Sequence, residues 1–364
     1  MKILWLTIDR SSRVAQHFDA FQNAASRLTD VICIRQSTEG LEAGQFSRQA
    51  MSGNIRRKQT MLSYLRSSKE EFDFVFTDAL FGFINDGWDE IRCPKGVLLE
   101  DLHGPIVKWQ VEMIKEFNFD VVFHRYKLPL QTFHPTICKG HKCFWLPHAV
   151  DMDVFKDYGL GKSIEVLHTG VASPVYYPMR QQIIRYLQGK SYFYTVDRPS
   201  EDPSKRGSNS YRGRQYAKLL SSSKICTTTG SKLHYPVLKY FEIPACNTLL
   251  IGDWFPELRI LGFDPQENMV CLDVRNIAEQ VEWWLAHDKE RERIVLNGME
   301  FIHKYHSMEV RAKQFLNEIC KVIGRDPMFE IKHDFHVSFI TKFTNHLLGT
   351  ISDLNIEESQ GRQL

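Results

Sequence analysis

Between Asp202 and Glu242 the chain has no acidic residue, yet Lys205, Arg206, Arg212, Arg214, Lys218, Lys224, Lys232 and Lys239 all fall there. Ammonium and guanidinium groups set among Ser, Thr and Gly suit phosphate groups, which they bind through charge-assisted hydrogen bonds. Backbone amides at helix starts add to the same field. The run also fits an ordinary solvated basic face, or a track for nucleic-acid phosphates, and composition does not separate the three. A second constellation is Glu100-Asp101-Leu102-His103-Gly104, just past an apolar run. His103 could hydrogen-bond a substrate hydroxyl, with Asp101 orienting it or acting as a general base. Asp101 could equally cap a helix that begins near Pro105. Asp78 follows the preceding apolar run and is a further candidate for substrate contact. Cys138-x4-Cys143, with His134 and His141 nearby, invites a zinc reading, but the spacing fits no standard knuckle and no metal site is expected.

These residues need a scaffold, and the chain is long enough for two. Its 364 residues correspond to two domains at roughly 150 each. Forty-six basic against forty-four acidic side chains give a net charge of +2, which excludes a generally polycationic nucleic-acid binder. No apolar run approaches ~18 residues, so no integral membrane association is expected. The eight cysteines are scattered and no signal-peptide cleavage site follows the first apolar run, so reduced thiols in the cytoplasm are expected.

Strands are expected at 2–8, 30–35, 73–78, 96–101, 120–125 and 142–147, with helices at 13–28, 55–66 and 106–117. After a polar break at 151–163 the rhythm restarts. Strands are expected there at 164–170, 192–196, 224–228, 247–252 and 268–273, with helices at 177–187, 215–220, 233–245 and 277–287. Near-continuous apolar strands alternating with helices indicate parallel sheets covered on both faces. Trp283, Trp284 and Ile302 read as core-facing. The expected architecture is α/β, with two Rossmann-like doubly wound domains (1–150 and 164–307) facing across a cleft. Helices over 308–364 would pack back toward the first domain. Arg10 and Arg13 flank the first strand-to-helix turn without a Gly-x-Gly-x-x-Gly fingerprint, which argues against a dinucleotide cofactor.

Phe241-Glu242-Ile243-Pro244-Ala245-Cys246-Asn247 lies between a loop and a hydrophobic strand. It resembles the Glu-Ala-Met-Ala-Cys-Gly segment of retaining glycosyltransferases of the GT-B fold, and is closest to their spore-maturation-protein-B-like branch. Leu146-Pro147-His148-Ala149-Val150-Asp151, His168-Thr169-Gly170, Tyr177-Pro178-Met179-Arg180 and the stretch from His303 to Arg311 fall in the family's order. The resemblance covers about residues 145 to 320.

That family has two glutamates eight positions apart. The resemblance assigns Glu242, at the second position, to the ribose hydroxyls of a nucleotide-sugar donor. His234 stands where the first, which contacts the donor sugar, is expected. The resemblance further implies a donor site with Gly170 and with Arg180, Lys224 and Lys239 near the diphosphate. His103 and Asp101 would face it as catalytic groups, and Asp78 would meet the acceptor. A nucleotide-diphosphate sugar would be substrate and no cofactor would be required. No Asp-x-Asp lies in a suitable loop, so cations rather than a metal would stabilise the leaving phosphate. The acceptor is open. Glycan, small molecule, protein and modified DNA base all fit, and Arg56 to Lys58 keeps DNA among them. A catalytically silent nucleotide-sugar or nucleic-acid binder on the same scaffold is the alternative.

Overall fold

The computed structural model describes residues 1–8, 17–36, 61–78, 87–102, 106–196 and 211–331. The expectations on Arg10, Arg13, Arg56 to Lys58, His103, Lys205 and Arg206 lie outside the described residues. In the first half, β1 (Lys2–Ile8), β2 (Asp30–Gln36), β3 (Phe74–Thr77), β4 (Lys95–Leu99), β5 (Val121–His124) and β6 (Lys142–Trp145) form one parallel sheet. Its order is β2-β1-β3-β4-β5-β6. Ile3, Leu4, Trp5 and Leu6 of β1 are all fully buried, because helices cover both faces of the sheet. The strand order reverses at β1, which in open parallel sheets marks where ligands bind beyond the carboxyl ends.

The second half repeats the plan. β7 (Ile164–Thr169), β8 (Phe193–Val196), β9 (Ser223–Thr228), β10 (Leu249–Gly252) and β11 (Val270–Cys271) form a parallel sheet in the order β11-β10-β9-β7-β8. The chain crosses between the halves at Val150 and returns at Ser307. The two crossings are stitched by Val150 N–H to the His306 carbonyl and Met308 N–H to the Val150 carbonyl, both 2.9 Å. Helix Met308–Val322 then lies under the first sheet. Its Phe315 sits in an aromatic cluster, with ring centroids 4.7 Å from Phe76, 4.9 Å from Phe123 and 5.3 Å from Phe21.

Three departures from expectation have local causes. The helix expected over 233–245 starts only at Lys239, because His234 is left-handed (φ 52°) and Pro236 follows it. Helices Lys127–Phe133 and Pro256–Ile260 were hidden by their prolines, which sit in the first turn where no amide partner is lost. Trp283 is exposed and stacks on His287 at 3.9 Å, whereas Ile302 is buried.

The cysteine expectation is corrected. Cys138 and Cys143 form a disulfide, since the turn after Ile137–Lys139 brings their Cα atoms to 5.6 Å. The other six cysteines are free thiols. His134 donates to the Leu102 carbonyl (3.1 Å) and His141 to the Phe119 carbonyl (2.7 Å). Among the described residues no helix is long and apolar enough to cross a membrane.

Candidate functional site

A cavity of about 360 Å³ lies between the carboxyl ends of the two sheets, within the ~300–1,000 Å³ range of small-ligand pockets. Its second-domain wall is built at the end of β7. Gly170 turns there with φ +107°, and a Cβ would come within 2.7 Å of Arg180 Nη1 and 3.1 Å of Lys239 Cε. The bare backbone therefore lets two cations close in beneath the turn. Arg180, 3% exposed on helix Pro178–Leu187, donates to the carbonyls of Val171 (3.2 Å) and Thr229 (2.6 Å) and packs over Tyr177 at 3.9 Å. Its Nε is buried without a partner.

Lys239 opens helix Lys239–Ala245, and Glu242 follows one turn later on the same face. Glu242 is 7% exposed, and its carboxylate makes no hydrogen bond among the described residues. Burial raises its pKa, opposed by Lys239 and then by His17 across the cleft. A carboxylate in this state is poised to accept hydroxyl donors from a ligand.

The opposing wall gathers Glu100, Arg125, His17, His148 and Tyr126. Arg125 Nε donates to Glu100 Oε1 at 2.7 Å, and His17 Nε2 lies 3.9 Å from Glu100 Oε2. Burial alone would raise the Glu100 carboxyl, but Arg125 and His17 outweigh it and hold it well below the usual carboxylate range. Burial, followed by the charge of Arg125, pushes His148 down to about 3, so its imidazole is neutral at pH 7. His148 Nε2 and the Tyr126 hydroxyl share a hydrogen bond of 2.9 Å. Tyr126 stacks on Tyr235 of the other domain, with ring centroids 3.9 Å apart.

A family model described as "Glycosyl transferase-like" matches residues 188–317. No curated protein matches the chain. Sucrose-phosphate synthase from Thermosynechococcus elongatus superposes with a TM-score of 0.62 at 13% identity, over 89% of this chain and 100% of that one. HepE from Anabaena in complex with UDP-glucose gives 0.60 at 12% identity, over 89% and 99%. A glycosyltransferase from Rickettsia africae gives 0.56 at 10% identity, over 88% and 98%. The fold is GT-B.

Within this GT-B frame the expected residues separate into two groups. Glu242, Lys239, Gly170, Arg180 and Asp101 all line the cleft. His103 lies outside the described residues. The other three stand elsewhere. Asp78 is 6% exposed and turned to β1, accepting from Trp5 Nε1 (3.0 Å) and Thr7 Oγ1 (2.6 Å). His234 is exposed beside Phe255, since its left-handed backbone swings the next residue, Tyr235, into the cleft instead. Lys224 is the second residue of β9, at the end of the sheet away from the cleft, and pairs with Glu165 at 3.5 Å.

The acid-free stretch is thus not one surface. Arg212 and Lys239 line the cleft, Lys224 is at the opposite end of the sheet, and Lys218 and Lys232 lie over Tyr158 and Tyr176. Among the described residues, that scatter leaves no continuous basic track to support a DNA acceptor. Sequence reasoning missed His17, Tyr126 and Tyr235, and gave no role to Glu100 and His148 although both fall in the stretches it singled out. The usable signal was the strand order, because Glu100 follows β4 and His17 begins the first described helix after β1, where the sheet order reverses.

Proposed function

We propose that the protein is a glycosyltransferase taking a sugar from a nucleotide-diphosphate donor held in the interdomain cleft. The observation that carries this reading is Glu242, a buried cleft carboxylate without a hydrogen bond, one turn from Lys239. A ribose diol would supply the two hydroxyl donors that such a carboxylate lacks. The diphosphate would lie over the Gly170 turn, where Lys239 neutralises charge as the phosphate leaves and Arg180 adds to the field from below. No divalent ion is required on this account. Asp101 would meet the sugar or acceptor from the facing wall. The match of Phe241 to Asn247 supports the spore-maturation-protein-B-like branch.

HepE is described with UDP-glucose, which makes uridine diphosphate the first nucleotide to test. The experiment is calorimetric titration with UDP and UDP-glucose, followed by acceptor-free hydrolysis of UDP-glucose. We expect binding of both and slow release of glucose with its anomeric configuration retained, as the resemblance implies. Binding without any turnover would favour the silent binder. Release of the inverted anomer would point to His17, beside Glu100, as a base on the attacking hydroxyl. If neither nucleotide nor any other nucleoside diphosphate binds, the donor reading fails.

A further inference from the structure

Glu257, on helix Pro256–Ile260 of the second domain, is fully buried at the domain interface. Its partners belong to the other domain. Oε1 accepts the main-chain N–H of Lys127 at 3.1 Å and Oε2 that of Leu128 at 2.8 Å. The Lys127 ammonium lies 5.5 Å from the Trp145 ring, and no salt bridge joins it to the carboxylate. Burying a carboxyl group here costs desolvation free energy that an apolar side chain would avoid. What it supplies in return is directional: two hydrogen bonds that fix one short piece of foreign backbone.

That backbone leads directly into the cleft. The residue before Lys127 is Tyr126, which stacks on Tyr235 at 3.9 Å and hydrogen-bonds His148 at 2.9 Å. Both tyrosines line the cavity, one from each domain. We propose that Glu257 is a positioning residue, latching the domains at Lys127 and Leu128 and thereby holding Tyr126 against Tyr235 across the donor sugar's end of the cleft. The inference rests on the donor reading above. The groups assigned there to the nucleoside diphosphate, Glu242, Lys239 and Gly170, all belong to the second domain, so its binding does not need the latch. The sugar and the transfer step need both walls.

The test compares full-length parent, Glu257→Gln and Glu257→Ala by hydrogen-exchange mass spectrometry, with calorimetry against UDP and UDP-glucose and the rate of UDP-glucose hydrolysis. In Glu257→Ala the Lys127 and Leu128 amides should exchange about tenfold faster or more, while helix Asp288–Tyr305 keeps its protection. Glu257→Gln, which keeps one acceptor oxygen, should fall between. UDP affinity should stay at the parent value, whereas UDP-glucose should lose its advantage over UDP and hydrolysis should slow by about tenfold. Unchanged exchange at the two amides, or equal loss of UDP and UDP-glucose binding, would overturn the proposal. If Glu257→Ala does not fold, the Gln variant decides by the same readings. If the parent binds neither nucleotide, the donor reading falls, and the exchange pattern alone judges the latch.

Discussion

Glu242 is largely buried in the cleft wall with Lys239 as its main opposing charge, and burial raises its pKa. A carboxyl with a raised folded-state pKa contributes stability that is fully present below its ordinary value and is lost as pH rises through the raised one. Glu242→Gln should therefore stabilise the ligand-free protein more at pH 8 than at pH 5, seen as a larger gain in Tm. The same variant should weaken nucleoside diphosphate binding by about 1.5–3 kcal/mol through lost charge-assisted hydrogen bonds. Calorimetry on the folded variant checks this, and unchanged affinity would remove Glu242 from the site. Lys239→Ala should lower kcat by about 10²–10³, the scale for removing one preorganised group from developing charge. Turnover of the parent should survive EDTA, and a divalent ion that restores lost turnover would sink the Lys239 account. The cleft position of Glu242 and Gly170 was legible from their local motifs, and that of Lys239 from the acid-free run that contains it. His234 misled because one left-handed residue shifts the register, so Tyr235 faces the cleft.

At the scale of elements, apolar runs marked the strands because parallel strands buried on both faces leave few other options. Short helices were less legible. Lys127–Phe133 spans only seven residues and contains Pro129, so it shows too few turns for a periodic signal. The opposing wall was illegible for a further reason. Glu100, Arg125, His148 and His17 come from four separate segments that only the sheet order brings together, and no spacing along the chain encodes that. Helix Met308–Val322 shows how far such assembly reaches, because a segment beyond the second domain completes the core of the first. Phe315 is fully buried there among Phe21, Phe76 and Phe123. Phe315→Ala should destabilise the protein by about 3–5 kcal/mol. Chemical denaturation should show that loss in the transition that exposes Trp5, whose ring lies 5.6 Å from Phe315. A loss under about 1 kcal/mol would mean that the helix is not part of that core.

For the whole molecule, the question is what holds two domains around a cleft whose walls belong to different halves of the chain. The crossings at Val150 and Ser307 join them on one side, and Glu257 joins them again through Lys127 and Leu128. These two connections differ in how they respond to pH. Main-chain pairing at the crossings does not titrate. Burial pushes the Glu257 carboxyl up to about 8, against the two amide hydrogen bonds and the charge of Lys127, which favour the ionised form. In an opened arrangement the group would be solvated and would titrate near its ordinary value of 4.5. Between the two values the closed arrangement holds a proton that the open one has released. Closure should then weaken as pH rises through this window, by about 1.4 kcal/mol per unit at most. Small-angle scattering should show a larger radius of gyration at pH 8.5 than at pH 6, with the sheets' secondary structure unchanged. Glu257→Gln, which cannot ionise, should flatten that dependence. A radius that grows with pH equally in parent and variant would place the pH response in some other group.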